Sequence, residues 1–266
     1  MLKKPVFVWF ILLLILGISS CSNYQKLYKS DDVDAKYEMA LKYYNQENYY
    51  RALELLEAVI PFYRGTEKAE DLYYYYAYSH YHQGDNILAS YYFKRFTKTF
   101  PQSKYTDECL FMAAYCKYLD SPVYSLDQTS TVEALVELQL YMDVFPDSER
   151  IEEANELMEI LRNKLEKKAF EIAKLYIKME DYKAAITSFK NLLESFPDSR
   201  YQEPVLFNIA KAQYFYALYS IESKKKERFI EMVEVYDAYI ALYPDSENAT
   251  QVTTYYNNSR EYLLSN

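Results

Sequence analysis

Phe196-Pro197-Asp198-Ser199 closes a run in which Ala173, Tyr176, Tyr182, Ala185 and Phe189 recur at helical spacing. Two small residues, Ala173 and Ala185, let a pair of antiparallel helices approach closely. The aromatic rings fill the space beside them, and Pro197 ends the second helix because it has no N–H to continue the hydrogen-bond ladder. The closing tetrapeptide is written three more times, as Phe100-Pro101-Gln102-Ser103, Phe145-Pro146-Asp147-Ser148 and Tyr243-Pro244-Asp245-Ser246. From one proline to the next the intervals are 45, 51 and 47 residues. Punctuation at such intervals marks an array of helix pairs, each burying its apolar face against its neighbours. Arrays of this kind hold other molecules and rarely do chemistry.

Composition agrees. The chain of 266 residues has three glycines, Gly17, Gly65 and Gly84, too few for the turns of a sheet protein. Ala, Leu, Glu, Lys and Tyr dominate, and apolar residues return every three or four positions, so nearly everything after residue 30 is predicted helical. The expected fold is all-α: a right-handed superhelical solenoid of about five helix pairs over 32–248, with a capping helix over 249–266.

The N-terminus is different in kind. Lys3 and Lys4 precede a strongly apolar core from Val6 to Gly17, followed by Ile18-Ser19-Ser20-Cys21. Pro5 to Ser20 is 16 residues, short of the roughly 20 that a spanning helix needs. Residues 1–20 are therefore an export signal. Ile-Ser-Ser-Cys resembles the lipobox of bacterial lipoproteins, which implies lipidation at Cys21 and a short tether over 21–31. Losing Lys3 and Lys4 takes the formal net charge from −9 to −11, a sign that argues against nucleic acid.

The helix pairs resemble tetratricopeptide repeats. The fourth supplies the small, aromatic and closing-proline positions named above. The first repeats them with Ala40, Tyr43, Tyr49 and Ala52, its Pro61 coming early, and the second with Ala77, Gly84, Ala89, Phe93 and Pro101. The third is stretched by Asp120 to Ser130, where Pro122 rules out a continuous helix between about Thr106–Tyr118 and Thr131–Val144. In the fifth, a first helix from about Glu203 to Ser223 is expected to meet a solvated basic turn, Lys224-Lys225-Lys226-Glu227-Arg228.

A lipobox, a short tether and five such repeats with the third interrupted are together similar to the BamD family. Tyr118-Leu119-Asp120-Ser121-Pro122, Leu126-Asp127-Gln128-Thr129 and Ala134-Leu135-Val136-Glu137-Leu138-Gln139 resemble that family's third repeat and its insertion. The likeness covers about residues 21–250. It implies a non-catalytic outer-membrane lipoprotein of a Gram-negative bacterium, its body facing the periplasm. The implied partners are the periplasmic domains of the BamA barrel protein and unfolded outer-membrane proteins awaiting insertion. Two other readings compete: a periplasmic repeat lipoprotein that coordinates cell-wall enzymes with envelope constriction, and a glycan-binding lipoprotein. Against the latter, Trp9, inside the signal, is the one tryptophan.

A solenoid presents the first helix of each pair to a groove. With the small residue of that helix as position 8, positions 2, 5, 9 and 12 face it. These are Asp34, Tyr37, Leu41 and Tyr44 in the first repeat, and Asp71, Tyr74, Tyr78 and Tyr81 in the second. The third gives Glu108, Phe111, Tyr115 and Tyr118, and the fourth the more basic set Lys167, Phe170, Lys174 and Ile177. Tyr37, Tyr44, Tyr74, Tyr78, Tyr81, Phe111, Tyr115 and Tyr118 are thus the expected peptide-binding wall, since tyrosine offers rigid contact area with a polar edge.

No catalytic residues, cofactor, metal or small-molecule substrate is expected. His80 and His82, two apart on a helix, point to different faces. Phosphate-loop, nucleophile-elbow and HExxH patterns are lacking. Cys109 and Cys116, two helical turns apart, are too distant for a disulfide and are expected in the core.

Overall fold

The computed structural model describes residues 23–265; the export signal and Cys21 lie outside them. A short helix α1 over 23–28 precedes five helix pairs and a last helix. The pairs are α2 (Val33–Asn45) with α3 (Tyr49–Tyr63), α4 (Ala69–His82) with α5 (Asn86–Thr99), α6 (Thr106–Leu119) with α7 (Thr129–Val144), α8 (Ile151–Lys178) with α9 (Tyr182–Ser195) and α10 (Gln202–Leu218) with α11 (Glu222–Leu242). α12 (Ala249–Ser265) follows. No strand occurs among the described residues. The array is all-helical and sequentially paired, as the punctuation predicts.

Two compact units divide the chain within α8. One comprises the chain up to Ser121 together with Thr129–Met158; the other comprises Pro122–Gln128 together with Glu159 onward. In the first, each helix from α2 to α7 packs on the next. The small residues expected between helices, Ala40, Ala52, Ala77, Ala89 and Ala114, are fully buried there, and Cys109 and Cys116 lie free in the same core. In the second, Phe170 and Ala173 of α8 pack with Ala185, Ile186 and Phe189 of α9 and Val205 and Ile209 of α10. Met232, Tyr239, Val252 and Tyr255 join α10, α11 and α12 in a further cluster around Ala210.

Every aromatic-Pro-x-Ser copy builds the same joint. The serine N–H donates to the aromatic carbonyl, at 3.1 Å in Ser103→Phe100, 3.1 Å in Ser148→Phe145, 3.0 Å in Ser199→Phe196 and 3.3 Å in Ser246→Tyr243. Each serine Oγ then accepts the N–H two residues on, as in Tyr201→Ser199 at 2.9 Å. Its carbonyl accepts from the first residue of the next helix. Three of the hydroxyls also donate back to an acid near the start of their own repeat's first helix: Ser103 to Glu70 (2.6 Å), Ser148 to Asp107 (3.1 Å) and Ser246 to Glu203 (2.7 Å).

The first repeat closes differently from expectation. Pro61 does not end α3, which continues to Tyr63 because a proline in the last turn forfeits only one ladder bond. Tyr63-Arg64-Gly65-Thr66 makes the joint instead, with Thr66 N–H on the Tyr63 carbonyl at 3.1 Å and Gly65 at φ +79°. The basic run is also corrected. It forms the first turns of α11, not a loop, because Lys225–Glu222 and Lys224–Glu227 pair at i,i+3 on a helix. The turn itself is Tyr219-Ser220-Ile221.

Within the first, second and fourth pairs the helices are linked by one left-handed residue, Glu47 (φ 58°), Gly84 (φ 78°) or Glu180 (φ 60°). The next residue, Asn48, Asp85 or Asp181, donates its N–H five residues back and caps the following helix with its side chain. Only at Gly84 does the residue suit the backbone. Glu47→Gly and Glu180→Gly are each expected to stabilise the chain by about 0.5–1 kcal/mol, and Gly84→Ala, whose Cβ meets nothing within 4 Å, to cost about 1 kcal/mol. Urea titration at unchanged slope measures both; a destabilised Glu47→Gly would contradict the strain.

Candidate functional site

Six of the predicted wall residues lie in one chain of ring contacts across α2, α4 and α6, all within the first compact unit. Tyr44 meets Tyr75 edge-on at 4.8 Å, and Tyr75 meets Tyr74 at 5.6 Å. Tyr74 lies 4.7 Å from Tyr78, which reaches Tyr81 at 6.2 Å. Tyr81 contacts Tyr115 across the repeat boundary at 6.4 Å, and Tyr115 stacks on Tyr118 at 5.8 Å. These rings are half-buried. Tyr75, Tyr49 and His82 extend the cluster and were not among the predicted positions. His82 stacks on Tyr49 at 4.3 Å and touches Tyr44 and Tyr78. The signal for them was available: Tyr75 and His82 follow Tyr74 and Tyr81 directly, on the flank of the same stripe.

Tyr37 and Phe111 do not line an open surface. They are 7% and 1% exposed. Both stand at position 5, and a residue from the next joint covers that ring in each case. Lys68 Nζ sits 5.1 Å over Tyr37 and the Arg150 guanidinium 4.6 Å over Phe111. Tyr105 likewise stacks on Tyr74 at 4.3 Å, and Tyr201 on Phe170 at 4.5 Å in the second unit. Lys68, Tyr105, Arg150 and Tyr201 all fall two residues after the closing Thr or Ser. The acid at position 2 holds three of them: Lys68–Asp34 at 3.2 Å, Tyr105 Oη donating to Asp71 at 3.0 Å and Arg150–Glu108 at 3.2 Å. Position 5 is therefore a joint between repeats, and positions 9 and 12 carry the accessible rings.

The site is aromatic with a polar border. Tyr78 donates its hydroxyl to Glu108, the same carboxylate that pairs with Arg150. Arg150 also pairs with Glu153 at 3.2 Å. In the fourth repeat Lys174 lies 5.2 Å over Phe170 and pairs with Glu171, while Lys167 lies 4.5 Å over Tyr124 of the insertion. Among the described residues no group of His, Cys, Asp and Glu could hold a metal ion. His80 is buried between Tyr76 and Tyr92 and His82 exposed, so the two do point apart.

The family YfiO, outer membrane lipoprotein, matches residues 29–229. The chain belongs to that family. It is the BamD family that the lipobox and the interrupted third repeat resemble. No helix among the described residues of this YfiO-family chain is long and apolar enough to cross a membrane. A search of curated proteins finds no match. Among solved structures, the chain is similar to the TPR domain of P58(IPK), at 16% identity and a TM-score of 0.42, over 89% of this chain and 58% of that one. The chain therefore spans little more than half the length of that structure. It is also similar to the apo form of RapI, at 15% identity and a TM-score of 0.35, over 88% of this chain and 84% of that one.

Burial governs the phenols of Tyr44, Tyr74, Tyr78 and Tyr81 in the ring cluster. It pushes the Tyr74 hydroxyl from 10.0 up to about 12, and raises those of Tyr44, Tyr78 and Tyr81 as well. A folded-state value above the unfolded one means that the unfolded chain ionises first. The stabilisation is complete below pH 10 and disappears as pH rises toward 12. Far-UV circular dichroism is expected to hold to about pH 10 and fall over the next two units, with part of the tyrosine absorbance change coinciding with unfolding. Full ionisation of Tyr44, Tyr74, Tyr78 and Tyr81 near pH 10 in a still-helical protein would contradict the burial.

Proposed function

We propose that this chain is a non-catalytic scaffold of the outer-membrane β-barrel assembly machinery, anchored by a lipid on Cys21 with its body in the periplasm. It binds periplasmic domains of a BamA-like barrel protein and receives unfolded outer-membrane proteins before insertion. The receiving surface is the row of Tyr44, Tyr78, Tyr81, Tyr115 and Tyr118.

The observation that carries this reading is the continuity of the ring contacts from Tyr44 to Tyr118 across three successive first helices. An extended segment with an aromatic end is offered flat apolar area on several helices at once. The half-buried tyrosines hold that area rigid, at little entropic cost on binding. Clustered aromatic surface of this kind is where binding energy concentrates.

The test uses the mature protein and a fluorescent peptide from the C-terminus of an outer-membrane barrel protein, ending in an aromatic residue. Tyr81→Ala with Tyr115→Ala and Tyr118→Ala is expected to weaken binding at least tenfold, against no change for Tyr219→Ala in the second unit. Equal affinity in the triple variant would rule the row out. Capture of a cell-wall synthase in place of a BamA-like protein, from detergent-solubilised envelope, would favour the envelope-constriction reading.

A further inference from the structure

The segment that follows Cys21 is docked onto the body. Helix α1 over 23–28 places Tyr24 against the first repeat, where it is 7% exposed. Its hydroxyl donates to Glu54 of α3 at 2.5 Å. Its ring meets Tyr43 of α2 edge-on at 5.7 Å, and the Arg51 guanidinium lies 5.1 Å from its centroid. The chain then turns into α2 with Ser30 Oγ donating to the Leu27 carbonyl and Asp32 capping Ala35. Between the cysteine and this docked tyrosine stand only Ser22 and Asn23. Three residues reach at most about 11 Å when fully extended.

We infer that the face of the first repeat around Tyr24 rests on the lipid headgroups, held there because the anchor has almost no slack. The inference rests on lipidation of Cys21, part of the function proposed above. Acyl chains in the bilayer keep the cysteine backbone at the headgroup level, so the Tyr24 backbone must lie within about that 11 Å of it. What surrounds Tyr24 suits a bilayer surface. Tyr50 is 64% exposed and Tyr28 42% exposed. Tyr24, Gln25, Tyr50, Arg51 and Glu54 line a shallow hollow of about 220 Å³. Lys26 and Lys29 are exposed on the same short segment. Amphipathic aromatic rings and basic side chains favour the headgroup layer.

The full-length lipidated protein tests this in vesicles carrying a headgroup-labelled quencher. Cys109 and Cys116 are fully buried, so an added surface cysteine can be labelled selectively. A fluorophore on Tyr50→Cys is expected to be quenched at least twofold more than one on Val136→Cys, a 61% exposed site on α7 of the same compact unit. A ten-residue Gly-Ser insertion after Ser22 should bring the two to the same level. Mass measurement of the N-terminal peptide separates the failures. An unacylated Cys21 would overturn the anchor and this inference together. An acylated protein with equal quenching at both sites, or with quenching at 50 that survives the insertion, would overturn the inference alone.

Discussion

The repeat joint hangs on one hydroxyl residue at each boundary, Thr66 after the first repeat and a serine after each of the others. Its N–H, its carbonyl and its hydroxyl are all engaged, so the end of one repeat and the start of the next are fixed in a single register. That register delivers the residue two positions later onto the aromatic ring at position 5 of the preceding first helix. A longer or looser turn would leave those rings open and let neighbouring first helices slide. In the third and fifth repeats a tyrosine joins the serine. Tyr141 donates to Asp107 at 2.8 Å, and Tyr239 to Glu203 at 2.5 Å. Burial works against the Glu203 carboxylate, yet hydrogen bonds from Tyr239, Ser246 and Asn248 hold it below its ordinary range.

The ring row follows from that register. Closing position 5 leaves accessible ring area at the C-terminal halves of α2, α4 and α6, where Tyr44, Tyr81 and Tyr118 share position 12. The first helices face one another there with rings instead of aliphatic groups. The surface is therefore stiff, and its hydroxyls keep some affinity for water. An aliphatic row of equal area would be a larger aggregation hazard. At the N-terminal halves the same helices carry acids, Asp34, Asp71 and Glu108, that neutralise the covering Lys68 and Arg150 or accept from Tyr105.

Sequence patterns carried the helix pairs because the proline of each aromatic-Pro-x-Ser copy follows the end of a helix and buried alanine has only one meaning between close helices. Two features escaped for a physical reason. Glutamate is a poor left-handed residue, so Glu47 and Glu180 gave no hint that they repeat the turn made by Gly84. The run of lysines before Arg228 was ambiguous, since charges spaced at i,i+3 suit a helix as well as a solvated turn. The outward face was half legible. Periodicity identifies which face of a helix looks outward from its pair, and the half-buried rings of Tyr44, Tyr78, Tyr81, Tyr115 and Tyr118 sit on it. It does not say what the next repeat lays over that face, and so Phe111 and Tyr37 were misplaced. The docking of Tyr24 depends on Glu54, thirty residues away, and on Arg51 in the same helix, beyond the reach of local pattern.

The fourth repeat shows what happens when one member of the joint is exchanged. Glu166 stands where Glu70, Asp107 and Glu203 stand, seven residues before the small residue of its first helix, and it is buried. The position occupied by Tyr141 and Tyr239 is Leu192, which packs well at 2% exposure but has no proton to give. Oε1 of Glu166 is accordingly buried without a partner, and Oε2 has only a long ion pair, 3.8 Å, to Arg200. An unsatisfied buried acceptor costs about 1–3 kcal/mol. The second repeat avoids this with an equally apolar residue, Phe96, because Ser103 donates to Glu70 directly at 2.6 Å. One short hydroxyl donor therefore satisfies the acid of the second repeat without a tyrosine. Leu192 packs in the apolar cluster of that repeat instead, so the fourth repeat matches the repeat pattern best while leaving its own carboxylate oxygen unpartnered.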